Sequence, residues 1–258
     1  MIRASLAGAC VLGAAAALAS LPVRAIEDEI QVYTDDIDAP GEYGLETHVN
    51  TTPRGRRTPA HAGDVPPYHS LRLTPEFSRG LTRDLEAGLY LPSVMDSDGR
   101  YYLSGWKLRL KWLPLHDENG GWYFGTNHEL GWLDRRYSES RREYELRVIG
   151  GYRTDQWLLG ANAMLRWGLT PGYTGSPDTT LAFKAVHQIV PGFSLGTEYY
   201  RDIGTLAQRL PRDEQDRTLY LIAEAERGKW SINFGVGHGL TRASDNWTIK
   251  SIVGYSFQ

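Results

Sequence analysis

Trp157-Leu158-Leu159-Gly160-Ala161-Asn162-Ala163-Met164-Leu165-Arg166-Trp167 decides the fold. Trp157, Leu159, Ala161, Ala163, Leu165 and Trp167 share one parity; Leu158, Gly160, Asn162, Met164 and Arg166 share the other. A helix scatters two such sets around its circumference, because its period is 3.6. A strand sends successive side chains to opposite faces and separates them. The alternation restarts in Trp106–Trp112, where Trp106, Leu108, Leu110 and Trp112 alternate with Lys107, Arg109 and Lys111. In Trp247–Phe257 the outer set is Trp247, Ile249, Ser251, Val253, Tyr255 and Phe257, against Thr248, Lys250, Ile252, Gly254 and Ser256.

Working outward from these segments, the same pattern predicts twelve strands. They fall near 43–52, 68–79, 85–92, 101–113, 122–133, 143–152, 157–167, 179–188, 193–201, 215–227, 229–238 and 246–257. The third looks short. Pro75 lies deep in the second, where its missing N–H costs a ladder hydrogen bond and suggests a bulge. Connections alternate in length: 53–67, 92–100, 134–142, 168–178, 202–214 and 239–245 are long, and those between are tight, apart from Pro114–Gly121. Long-short alternation marks an even-stranded barrel with both termini in the periplasm, long loops outside and short turns inside. The expected fold is therefore all-β: a closed antiparallel transmembrane β-barrel of about 12 strands.

The dimensions agree. Trp122 and Trp132, Trp157 and Trp167, and Trp247 and Phe257 each lie ten positions apart on one face. Ten steps of roughly 3.3 Å tilted by about 45° span on the order of 23 Å, close to the roughly 25 Å apolar band that aromatic girdles flank. Trp106, Trp112, Trp122, Trp132, Trp157, Trp167, Trp230, Trp247 and Phe257 are the candidate membrane-interface aromatics.

The N-terminus carries the marks of export. Arg3, an apolar Leu6–Leu21 and the small-residue spacing Val23-Arg24-Ala25 describe a Sec-type signal peptide cleaved after Ala25. The only cysteine, Cys10, lies within it, so the mature chain offers no disulfide and no thiolate metal site. Cleavage removes two arginines and no acid, moving the formal charge from −3 to −5. That balance gives no reason to propose nucleic acid as a partner. The domain reading is a leader at 1–25, a periplasmic N-terminal segment at 26–42 and an outer-membrane barrel at 43–258. It leaves no space for a separate plug domain before the first strand.

The inward parity holds charge that a dry core would not tolerate. Glu46, Arg72, Glu76, Glu86, Lys107, Arg109, Lys111, Glu129, Glu145, Arg147, Arg166, Lys184, Glu198, Glu224 and Lys250 are expected to face the lumen. They either line a wet, selective passage or pair with one another and fill the barrel. Lys107, Arg109 and Lys111 form the clearest basic strip, with Glu86, Glu129 and Glu145 within cross-strand reach. A lipid-hydrolysing barrel enzyme is the rival class, needing a nucleophile, a base and an orienting group. His128, His187 and His238 face outward by parity, and none has a serine two positions along the same face. No catalytic residue, metal site or cofactor is expected. His61, Asp64 and His69 match no particular metal-site spacing, and Arg54-Gly55-Arg56-Arg57 is a cationic loop cluster that is either solvated or set against outer-leaflet sugars and phosphates.

Gly254-Tyr255-Ser256-Phe257-Gln258 resembles the terminal signature by which the barrel-assembly machinery recognises outer-membrane proteins, displaced by Gln258. Glu29-Ile30-Gln31-Val32-Tyr33, Ala39-Pro40-Gly41, Leu45-Glu46-Thr47-His48, Leu71-Arg72-Leu73-Thr74-Pro75-Glu76 and Leu89-Tyr90-Leu91-Pro92 resemble a group of proteobacterial outer-membrane proteins. More distantly, they resemble the outer-membrane transporter family associated with phenol-degradation (MetA) pathways. The resemblance implies a twelve-stranded barrel in contact with outer-membrane lipid and passage of small, in part aromatic or hydrophobic, solutes. It assigns no functional residue.

Overall fold

The computed structural model describes residues 29–117 and 119–257. The expected leader, 1–25, lies outside the described residues. The strands are β1 (Tyr43–Arg54), β2 (Leu71–Thr82), β3 (Leu85–Tyr90), β4 (Ser93–Met95), β5 (Tyr101–Leu103), β6 (Gly105–Leu115), β7 (Gly121–Leu133), β8 (Arg142–Arg153), β9 (Trp157–Gly168), β10 (Asp178–Val190), β11 (Phe193–Thr205), β12 (Arg217–Arg227), β13 (Trp230–Gly239) and β14 (Trp247–Phe257). Every pairing between them is antiparallel, and β1 bonds both β2 and β14, which closes the sheet on itself. A closed ring leaves no unpaired edge, the condition for a sheet to cross a bilayer.

Two walls of the ring are interrupted strands, so the fourteen segments make twelve staves. β3 pairs Glu76 with Tyr90 and β4 pairs Leu73 with Ser93, on one unbroken register along β2. The third strand is therefore longer than its sequence pattern suggests. The bulge expected at Pro75 does not form: Thr47–Pro75 falls in regular register with β1. Leu91 still donates to the Pro75 carbonyl at 3.0 Å. Proline withholds only the reciprocal bond, so the ladder is interrupted without a shift.

The bulge lies elsewhere. β3 and β6 pair Tyr90 with Lys107, whereas β4 and β5 pair Ser93 with Leu103, one residue out of step. Gly105 absorbs the step at φ 132°, a conformation that side chains rarely adopt. The outward parity flips across it, from Tyr101 and Leu103 to Trp106, Leu108, Leu110 and Trp112, all exposed.

The aromatics form two rims. Trp112, Trp122, Trp157, Trp230 and Phe257 surround the end with the short turns, and Trp106, Trp132, Trp167 and Trp247 the other. Trp106 stacks on its ladder partner Trp132, with ring centroids 4.3 Å apart. Trp167 is the most covered, lying beside Tyr144 at 5.6 Å. Between the rims, Leu159, Phe183, Leu195, Leu221, Ile232, Phe234 and Val236 point outward and are exposed, a surface suited to lipid and not to water.

The lead-in expected at 26–42 is described from Glu29 onward, and there it lies within the ring of strands. Ile30, Val32 and Tyr33 are buried. Ile30 and Tyr33 pack with Leu113, Tyr123, Ile149, Leu158, Val186, Tyr220 and Ile222 of the wall. No separate plug domain exists among the described residues; a single strand of peptide takes its place. Gly80, which approaches the backbone of Asp38 and Ala39 closely, lets the segment leave beside β2 and turn into β1. At the far mouth, loop residues Val65 and Tyr137 cluster with Val94 and Leu133.

Candidate functional site

Within the barrel wall, polar groups converge in the lumen, because the outer face is committed to lipid. Each of the fifteen charged residues expected inside lies on the inward face of its strand, between hydrogen-bonded ladders that fix its height. Most are buried. Glu46, Arg166 and Glu224 are the partly exposed members.

The wall charges pair locally. Lys107 meets Glu129 at 2.7 Å, and Arg109 meets Glu76 at 2.6 Å and Glu86 at 2.5 Å. Glu145 takes Arg147 at 3.1 Å and Arg166 at 2.9 Å. Lys184 reaches Glu224 at 2.6 Å, and Lys250 reaches Glu198 at 2.5 Å. Breaking one partner of such a buried pair strands the other charge, so the pairs hold wall side chains in place. Of the basic strip on β6, Lys107 and Arg109 pair with acids of nearby strands, one of the two arrangements the sequence left open. Lys111 instead donates to the carbonyl of Asp36, in the N-terminal segment.

That segment crosses between opposite walls. Lys250 on β14 donates to the Ile30 carbonyl at 2.8 Å, and Arg147 on β8 donates to the next carbonyl, Gln31, at 3.1 Å. β8 and β14 stand six strands apart in a ring of twelve, and so face each other. Asn162 on β9 brackets Tyr33, accepting from its N–H at 2.7 Å and donating to its C=O at 2.9 Å. The Tyr33 and Tyr90 hydroxyls meet at 2.5 Å, and the Arg147 guanidinium lies 4.2 Å from the Tyr33 ring centre. Nearer the short-turn mouth, Arg153 forks onto Asp35 with two 2.6 Å contacts and touches Asp36 at 3.1 Å. Asp38 donates its N–H to Glu86 at 2.6 Å. Sequence reasoning placed Asn162 on the inward face without singling it out, and missed Tyr90, Arg153 and the whole segment as lumen components. The available signal was the acidic run Glu27-Asp28-Glu29 followed by Asp35, Asp36 and Asp38, with no cation, next to a wall rich in arginine and lysine.

His48 is the one strand histidine that points inward. Its Nε2 lies 3.4 Å from Glu76 and 3.9 Å from Glu46, the single group among the described residues with metal-ligand proximity. Arg109 already occupies the other oxygen of Glu76, so the pair of carboxylates has cationic company without an ion. The loop residues His61, Asp64 and His69 are not brought together: Asp64 accepts from Ala60 at 2.8 Å, while His69 stacks on Tyr68 at 4.0 Å. Within the loop cluster, Arg56 is tied to Asp245 through its N–H at 2.7 Å, and Arg57 lies 4.0 Å over Tyr68.

On the lipid side, the rings of His187 and His238 pack at a tilt against Trp157 and Trp247 in the rims, centroids 4.6 Å apart in each pair. His128 lies in the apolar band and closes both ring nitrogens on hydroxyls, Tyr144 at 2.7 Å and Thr126 at 3.2 Å. A polar group facing hydrocarbon needs such partners. The hydroxyl two positions from His128 on its own face is a threonine, and the ring's other nitrogen meets a phenol, not a carboxylate.

No protein-family model and no curated protein matches the sequence. Solved structures do resemble the fold. The KdgM porin aligns with a TM-score of 0.56 at 13% identity, over 83% of this chain and 99% of that one. The COG4313 outer membrane channel from Pseudomonas putida F1 aligns with a TM-score of 0.57 at 12% identity, over 86% and 97%. The NanC porin follows at 0.50 and 12%, over 83% and 99%. At these identities the likeness is one of fold. Together with the apolar belt and its aromatic rims, that fold makes the chain a barrel of the bacterial outer membrane.

Proposed function

We propose that the chain is a passive outer-membrane channel for small solutes, held closed in this state by residues 29–38. The observation that carries the reading is the way opposite walls meet. Wall ion pairs join side chains no more than three strands apart, while Lys250 and Arg147, on opposite walls, are joined across the lumen by backbone carbonyls of one removable peptide. A barrel built to be solid would fill its centre with wall side chains, as an eight-stranded ring does. Twelve strands enclose more, and here the extra space is taken by a segment that joins the wall at β1. Withdrawing it leaves a passage lined by fixed charges, the arrangement that sets selectivity in pores. The resemblance to the phenol-degradation transporter family adds aromatic solutes to the candidates. The cationic surroundings of the Tyr33 ring, with Arg147 at 4.2 Å and Lys111 at 5.1 Å, support this.

The test uses a disulfide in the full chain. A Cβ placed on Gly160 stands 3.3 Å from a methyl of Val32. The pair Val32→Cys and Gly160→Cys therefore sits within bridging range. In planar bilayers the wild type is expected to show intermittent openings. The oxidised variant should show none, and reductant should restore them. Currents indifferent to the bridge would refute the closing role, and a folded wild type silent at every voltage would leave a closed structural barrel.

A further inference from the structure

We propose that the lumen site filled by residues 29–38 is a binding site for acidic oligopeptides in transit, with the chain's own segment as the resident competitor. The proposal rests on the channel reading above and names its solute class.

The contacts divide into two kinds. The first uses groups that any peptide carries. The carbonyls of Ile30, Gln31, Tyr33 and Asp36 accept from Lys250, Arg147, Asn162 and Lys111. The N–H groups of Tyr33 and Asp38 donate to Asn162 and Glu86. A wall that supplies donors and acceptors to successive peptide units recognises main chain, whatever its side chains. The second kind selects charge. Arg153 takes the carboxylates of Asp35 and Asp36, and Arg147 stands 3.6 Å from Glu29. Bidentate arginine–carboxylate pairs are both stronger and more directional than neutral hydrogen bonds.

Lys111 and Arg153 are the telling residues. Among the described residues, neither makes an ion pair with a wall carboxylate, whereas Lys107, Arg109, Lys184 and Lys250 all do. Lys111 reaches the Asp36 carbonyl and the Tyr33 ring, and Arg153 the carboxylates of Asp35 and Asp36, all in the N-terminal segment. When the segment leaves, two cations near the short-turn mouth lose their partners, while Lys107, Arg109, Arg147, Arg166, Lys184 and Lys250 keep theirs on the wall. A second acidic peptide restores what was lost. An uncharged one does not. A carbohydrate chain offers carboxylates but no alternating amide N–H and C=O, which is why the peptide is favoured over acidic sugars.

The experiment uses the full chain carrying Asp35→Asn and Asp36→Asn, which weakens the resident segment and leaves the wall unaltered. Single-channel recording at low ionic strength should show more openings than wild type. Added peptide of the sequence Glu-Ile-Gln-Val-Tyr-Thr-Asp-Asp-Ile-Asp should interrupt them. The analogue with Gln and Asn at the four acidic positions should need about tenfold more, and Arg153→Gln in the same background should erase most of that difference. Equal block by the two peptides overturns the proposal while the channel reading stands. Block by trigalacturonate but not by the acidic peptide overturns it in favour of a sugar. A folded variant that never conducts sinks both readings.

Discussion

Replacing Asn162 by leucine isolates the hold of the wall on the N-terminal segment. Leucine keeps the branched shape of asparagine without its polar atoms, and the backbone of residue 162 keeps its ladder partners Ile149 and Ala182, so the barrel itself should form. What disappears is the bracket on Tyr33, two hydrogen bonds of 2.7 and 2.9 Å in buried surroundings. Each bond contributes about 0.5–1.5 kcal/mol net, and an orphaned buried N–H or C=O costs about 1–3 kcal/mol. Water entering the widened lumen recovers part of that. The seated segment should therefore lose about 2–4 kcal/mol relative to the withdrawn one. At 1.4 kcal/mol per factor of ten, open probability should rise by about 30- to 700-fold. Recording wild type and Asn162→Leu under identical voltage and salt measures the ratio directly. A ratio below about threefold, in a variant with an unchanged unfolding midpoint, would refute the idea that seating of the segment controls the passage.

Further outcomes follow from other parts of the wall. Lys111→Gln with Arg153→Gln, in a channel with its segment weakened, should shift the reversal potential in a salt gradient toward cation preference, because the two unpaired cations are gone. Gly105→Val forces a β-branched residue to φ 132° and its Cβ against the Trp132 carbonyl; a loss of about 2–3 kcal/mol in urea unfolding is expected. Asp216, in the loop before β12, has its carboxyl pushed up to about 6 from 3.8, first by burial and then by Asp202 and Asp245, against hydrogen bonds from Ser244 and Thr218. Between pH 4 and 6 the folded state then holds a proton that the unfolded chain has released, so stability should fall as pH rises through that window. Asp216→Asn should remove this pH dependence, and an unchanged slope would refute the assignment. Phospholipid turnover should be undetectable in wild type and in His128→Leu, whose ring nitrogens meet only Thr126 and Tyr144.

The strands themselves were legible because each residue position reports its solvent. Leu159 and Ile232 touch lipid, Asn162 and Lys250 the lumen, and the period of two keeps the sets apart without any distant contact. Spacing between Trp157 and Trp167 likewise measures the membrane locally. Strand interruptions were harder. Pro75 announces a missing donor but not whether the register slips, which depends on the partner strand, and nothing within Ser104-Gly105 alone says that the outward face flips there.

The sequence by itself determined which faces are oily and which are charged, hence a closed barrel of twelve staves with charged walls. Only the tertiary structure decided that residues 29–38 lie inside it. That segment has no period of its own and gains its partners from β2, β3, β6, β8, β9 and β14, strands far apart along the chain. The distances that matter are set by ring closure, a property of all the staves at once and of no local run of residues.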